Sequence, residues 1–198
     1  MSSGDVDLKK RRNLVIAASA MGAVGAGFVA VPFIASMQPS ERAKAAGAPV
    51  EADIGKLEEG AILLVKWRGK VVWVVSRTEE MLATLPELDG EVADPDSLEP
   101  QQPGYCQNAT RAIKKKYFLC VGICTHLGCS PTYRPDVAPA DLGPDWKGGF
   151  FCPCHGSKFD LAGRVYKGVP APTNLVIPKH VYLNDSVILI GEDGGAVA

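Results

Sequence analysis

The alternation of apolar and polar positions divides the chain into one long uniform apolar stretch followed by many short ones. No charge interrupts LVIAASAMGAVGAGFVAVPFIASM, Leu14 to Met37. At 1.5 Å per residue its roughly 24 residues extend about 36 Å, enough to cross a hydrocarbon core with some tilt. The pattern therefore predicts an anchor helix, with Pro32 kinking it. Gly22, Gly25 and Gly27 give it a small-residue surface where a second helix can approach closely. The following QPSERAKAAGAPVEADIGKL sustains no apolar face, and residues 38–52 read as a flexible neck. AILLVKW and KVVWVVS around Arg68-Gly69 predict a β-hairpin with a two-residue turn. Thr78 can cap a short helix whose apolar positions Met81, Leu82 and Leu85 end at Pro86. From Glu87 to about Ile113 the chain is acidic, proline-rich and aperiodic, which predicts a surface excursion. YFLCVGI and TNLVIP read as strands, and HVYLNDSVILIG as a last hairpin. Short strands between Gly and Pro turns predict an all-β antiparallel sandwich or barrel.

The 198 residues suit one domain plus an extra part, and the net charge of -1 removes any bulk electrostatic case for nucleic acid. Charge is informative only around the anchor. Lys9, Lys10, Arg11 and Arg12 precede it, against Arg42 and Lys44 after it. That bias predicts a cytoplasmic N-terminus over 1–13, a span over 14–37, and a head over 53–198 on the far side of the bilayer. A cleaved secretory signal would need a shorter apolar stretch, although Ala43 to Ala45 (AKA) could serve as its cleavage site. Arg11-Arg12, with Leu14 two positions on, also resembles a twin-arginine export signal, which would suit a protein that acquires a metal before export.

Six cysteines are too few for a disulfide scaffold and enough for a metal site. Four of them lie in two Gly- and Pro-flanked stretches, CTHLGC (Cys124 to Cys129) and CPCHGS (Cys152 to Ser157), with one histidine in each. About 25 residues separate His126 from Cys152, so two loops must meet. One tetrahedral zinc uses four ligands and leaves two cysteines unexplained. A disulfide-only reading explains the cysteines and leaves the matching histidines without a role. Two irons, one with two cysteines and the other with two histidines, take one Cys and one His from each loop. The leftover cysteines can then pair, and all six residues acquire a role.

Together the two stretches resemble the cluster-binding boxes of Rieske iron–sulfur proteins. They are most similar to those of the Rieske subunit of quinol–cytochrome c reductase, the cytochrome bc complex. GVPAP, Gly168 to Pro172, resembles that family's proline loop, and the likeness covers nearly the whole chain: anchor, neck, the helix after RT, both boxes and this loop. It implies a Rieske-type head whose cluster-binding subdomain covers about 117–172 and holds one [2Fe-2S] cluster. Cys124 and Cys152 would hold the inner iron, and His126 and His155 the outer one. Cys129 and Cys154 would form a disulfide, which Rieske ferredoxins and ring-hydroxylating oxygenases normally lack. Gly168, Pro170 and Pro172 would support the loops, and Ser157 would donate its hydroxyl to a bridging sulfide.

The implied activity is one-electron transfer from ubiquinol, at the cytochrome b quinol-oxidation site, to a c-type cytochrome subunit, with proton release into the periplasm. His155 would contact the quinol, and His126 would face the c-type haem once the head has moved on its neck. The chain would then be one subunit of a proton-translocating oxidoreductase, dimeric by family expectation, in a bacterial inner membrane. It has no complete active site of its own. The alternative of a different class is a stand-alone membrane-anchored Rieske electron-transfer protein.

One position departs from the family. Where relatives commonly carry a tyrosine that hydrogen-bonds a cysteine sulfur, this chain has Phe159. We expect a lower reduction potential than in tyrosine-bearing relatives. Phe159→Tyr should raise the midpoint in protein-film voltammetry; an unchanged midpoint would sink the idea. Outside the boxes, Cys120 reads as a buried small hydrophobe and His180 as an ordinary surface or strand histidine. Cys106 is open between a free thiol and a partner contact. Lys114 to Lys116 read as a solvated basic run.

Overall fold

A computed structural model describes residues 7–194, and residues 1–6 and 195–198, at the ends of the expected N-terminal segment and head, lie outside the described residues. The chain divides into two compact units at Ala45/Ala46. In the first, helix α1 (Leu8–Ser36) is exposed along its whole length and apolar enough to cross a membrane. It starts ahead of Leu14, because the Asp7 carboxylate caps it by accepting from the amides of Lys9 and Lys10, so the basic flank is helical. The helix runs through Pro32 to Ser36. The segment read as a neck is partly regular. A short helix α2 (Glu41–Ala46) opens after Ser40, whose hydroxyl accepts from the Ala43 amide, and strand β1 (Val50–Asp53) already belongs to the head.

The head is built from three antiparallel three-stranded sheets. The middle sheet orders β2 (Ile62–Trp67), β3 (Lys70–Ser76) and β4 (Tyr117–Val121). Arg68 and Gly69 make the two-residue turn, both at positive φ. Because side chains alternate across a strand, Val72, Val74 and Leu119 face one way, toward Ala52, Ile54, Ile188 and Ile190. Trp73, Val75, Phe118 and Cys120 face the other way, toward Phe150 and Phe159. Both faces of β3 are covered, which explains its unbroken apolar run. On one side lies the sheet β1–β9–β8, with β8 at His180–Tyr182 and β9 at Val187–Ile190. On the other lies the sheet β5–β6–β7, formed by Thr132–Arg134, Gly149–Cys152 and Ser157–Phe159. Trp73 stacks on Phe150 at 5.2 Å across that second interface. A Cβ at Gly122 would collide with the Trp73 ring, so only glycine lets β4 turn here into the first box.

Three expectations need correction. TNLVIP is extended but forms no ladder: Leu175, Val176 and Ile177 each bond a different segment, through Gly163, Val121 and Gln101. Helix α3 (Glu79–Glu87), capped by Thr78 accepting from the Met81 amide, continues past Pro86. A proline in the last turn forfeits only one backbone bond. The 87–113 stretch is not a surface excursion, since Val92, Cys106 and Arg111 are fully buried within it. Side-chain bonds replace regular structure there: the Asp94 carboxylate accepts from the amides of Leu98 and Glu99, and the Arg111 guanidinium binds three carbonyls.

His180 is also buried, with its Nδ1 2.9 Å from the Pro178 carbonyl oxygen. Burial holds its pKa below the ordinary imidazole value of 6.5. Between the two values the unfolded chain binds more protons than the folded one, so stability rises with pH there. Its contribution is complete above about pH 6.5 and is lost as pH falls toward the folded value. Denaturation midpoints should therefore fall less steeply from pH 7 to 5 in His180→Gln than in the parent chain; equal slopes would contradict this. Lys114, Lys115 and Lys116 do not form a free basic patch, because each pairs separately, with Asp185, Glu79 and Glu59.

Candidate metal centre

The first box is a tight turn directly after β4, closed by the Cys124 amide donating to the Cys129 carbonyl (2.8 Å) and the Gly128 amide donating to Cys124 (3.1 Å). The second box is the β6–β7 hairpin. Cys152 ends β6 opposite Ser157, Gly156 supplies the positive φ of the turn, and its amide donates to the Cys152 carbonyl. Directly opposed residues share a face, so Cys152 with Ser157, and Phe150 with Phe159 two pairs further down, point the same way.

These loops bring the two thiols together. Cys124 and Cys152 are 2 % and 1 % exposed and lie in the same buried cluster. Burial pushes the Cys152 thiol pKa up, and Cys124 adds to it. The backbone amides of Cys154 and His155 act the other way and favour its thiolate. A bound metal would deprotonate it outright. Cys129 and Cys154 are joined as a disulfide with Cα atoms 6.7 Å apart. The sulfurs of Cys129, Cys152 and Cys154 lie within 4.8 Å of one another, but the two in the bridge are spent. Cys152, with Cys124, is what remains for a metal.

The histidines converge next to them. The rings of His126 and His155 meet edge to face at 4.7 Å. His126 Nδ1 is buried with no hydrogen-bond partner, an arrangement costly for a ring nitrogen unless something else occupies its lone pair. His155 is exposed. Two buried thiols, two converging rings and an orphaned ring nitrogen fit a two-metal sulfur cluster ligated half by sulfur and half by nitrogen.

A third loop closes the site. Gly168 turns the chain at positive φ into the 168–172 segment; Pro170 and Pro172 are exposed, while Val169 and Ala171 pack against the core that contains Cys124 and Cys152. The Ala171 amide donates to Ser157 Oγ (3.1 Å), and Thr125 Oγ1 donates to the Thr173 carbonyl (2.7 Å). The 168–173 segment thus holds one residue of each box. Ser157 accepts there and keeps its own O–H to donate elsewhere. Thr125 was not singled out from the sequence, although a hydroxyl between two ligand positions was the available signal. Phe159 is fully buried and brings no hydroxyl to the site. Cys106 is a free buried thiol whose pKa burial raises to about 11, which keeps it unreactive. Cys120 is likewise buried and free.

Comparison with known proteins places this geometry. Residues 1–40 match the family profile "Ubiquitinol-cytochrome C reductase Fe-S subunit TAT signal", and residues 100–181 match "Rieske [2Fe-2S] domain". The ubiquinol-cytochrome c reductase iron-sulfur subunit of Allochromatium vinosum is 68 % identical over 99 % of this chain and 95 % of its own. The subunit of that name from Blastochloris viridis is 40 % identical, over 96 % and 98 %. A chain of a hyperthermophilic respiratory Complex III is 27 % identical, with a TM-score of 0.48 over 87 % of this chain and 98 % of that one. With two cysteine–histidine boxes folded onto one site and these relatives matched nearly end to end, the chain belongs to the iron–sulfur subunits of ubiquinol–cytochrome c reductase, membrane-anchored proteins with a Rieske [2Fe-2S] head.

Proposed function

We propose that this chain is the moving electron carrier of its complex. The head takes one electron at a time from ubiquinol at the cytochrome b subunit and gives it to the c-type cytochrome subunit. The carrying observation is the asymmetry of the donor set: both thiols are buried, whereas His155 is exposed and Leu127, next to His126 in the chain, is 72 % exposed. The sulfur end is insulated and the imidazole end can meet a partner. Cys124 and Cys152 hold the inner iron, His126 and His155 the outer iron, and the Cys129–Cys154 bridge ties the boxes. When bound, the cluster supplies a one-electron acceptor whose potential is raised by neutral imidazole ligands. His155, through the nitrogen not used for iron, accepts a hydrogen bond from the quinol hydroxyl and takes its proton. It later releases that proton to periplasmic water. His126 faces the c-type subunit after the head has moved.

The orientation follows from the basic flank of α1: residues 1–13 cytoplasmic, 14–37 across the inner membrane, a neck from 38 up to β1, and the head from β1 onward periplasmic. The disulfide supports an oxidising compartment. The match of residues 1–40 to a TAT signal supports export of a head already folded around its cluster. The complex is a dimer in this reading. Extraction of the tagged full chain from its native membrane tests it: b- and c-type haem should co-purify, and added ubiquinol should reduce the centre. A chain that elutes with its centre and no haem would contradict it and point to a stand-alone carrier.

A further inference from the structure

Among the described residues, four charged side chains are at most 1 % exposed: Arg77, Arg111, Arg164 and Asp160. Three cations against one carboxylate leave a surplus inside the head. Arg164 is compensated, because its Nε donates to Asp160 (2.7 Å) and its Nη1 to Asp89 (2.6 Å). Arg77 and Arg111 hydrogen-bond no carboxylate, and the anion acting most on both is Asp160, which is already paired with Arg164. Arg77 donates to the carbonyls of Thr110, Lys115 and Leu161. Arg111 donates to those of Ala162, Gly163 and Leu175 and to Gln102 Oε1. Burial draws both guanidiniums down to about 10, which leaves both charged at neutral pH.

Both cations border the core that runs to the site. The Arg77 guanidinium lies 5.3 Å from the centre of the Phe118 ring. Arg111 Nη1 and the tip of Phe118 both crowd Gly163. Phe118 contacts Phe150 at 6.0 Å, and Phe150 shares its core cluster with Cys124 and Cys152. The intervening matter is aromatic and aliphatic, so the field of these charges is poorly screened in that direction.

We infer that Arg77 and Arg111 set the potential of the centre. Resting on the ligand assignment above, the inference is that their surplus positive charge favours the reduced site, and that Asp160 opposes them. Adding one electron, here from an electrode or mediator, makes the site one unit more negative. A fixed cation lowers the free energy of that product, and a fixed anion raises it.

The test is an EPR-monitored redox titration of the full-length protein in detergent, with thermal unfolding in parallel. Arg111→Gln removes the charge and Arg111→Lys keeps it, while both lose the forked bonds to the carbonyls. The midpoint should fall in Arg111→Gln, stay near the parent value in Arg111→Lys, and rise in Asp160→Asn. All three should lose thermal stability, so damage alone would move the midpoints in one common direction. Equal shifts in the Gln and Lys variants, or an unchanged or lower midpoint in Asp160→Asn, would overturn the proposal. If Arg111→Gln does not fold, the sign in Asp160→Asn decides. Failure of the ligand assignment is distinguishable, because the parent chain would then give no Rieske-type signal to titrate.

Discussion

Replacing Cys152 with serine should leave the purified chain without its chromophore and with iron at background. The thiol is 1 % exposed and shares its buried cluster with Cys124, and the backbone amides of Cys154 and His155 favour its thiolate. A serine hydroxyl does not ionise near neutral pH and offers a hard oxygen where iron–sulfur chemistry needs a soft donor. Cys152→Ser leaves both cysteines of the Cys129–Cys154 bridge in place, so the loop pair stays tied. Iron and acid-labile sulfide per chain are the measurement. Cys120→Ala and Cys106→Ala, which alter the other two free cysteines outside the boxes, should keep full iron. Full iron in Cys152→Ser would remove this residue from the ligand set.

The second large effect concerns stability. Arg164→Leu should cost about 3–5 kcal/mol, the range for breaking one side of a buried ion pair. The loss strands Asp160, which is fully buried and keeps only the amides of Ala162 and Arg164 as donors. It also removes the donor that Arg164 Nη2 provides to the Leu85 carbonyl at 2.6 Å. Chemical denaturation reads the difference directly, and the melting temperature should drop by on the order of 10 °C. Adding Asp160→Asn to the same chain should recover part of the loss, since the stranded charge is then gone. A cost below about 1 kcal/mol in Arg164→Leu would show that solvent reaches the pair.

What could be read from the sequence was whatever is local. The two boxes are six residues each, and their ligand types and spacing announce a centre before any fold is known. The β2–β3 hairpin was legible because Arg68-Gly69 separates two long apolar runs. By contrast, β5, β6 and β7 have three or four residues each, too few for a period to emerge, although they carry the second box. TNLVIP looked like a strand because its composition suits one, but a ladder needs a partner that composition does not reveal. The buried arginines gave no signal at all. An arginine reads as surface until the fold shows which carbonyls lack donors, as those of Ala162 and Leu175 would without Arg111. The same holds for the ties from Thr125 and Ser157 to the 168–173 segment, which join positions far apart in the chain.

The central claim, that one imidazole from each box ligates the centre, has a direct test in pulsed EPR of the reduced protein labelled with ¹⁵N-histidine. The chain has three histidines, and His180 sits at the start of β8 with its ring against Pro178. His180→Gln therefore leaves only His126 and His155 to give histidine couplings. The account predicts a Rieske-type signal with two strongly coupled histidine nitrogens, unchanged by His180→Gln. A signal with one such nitrogen or none, or a colourless protein that contains only zinc, would contradict it.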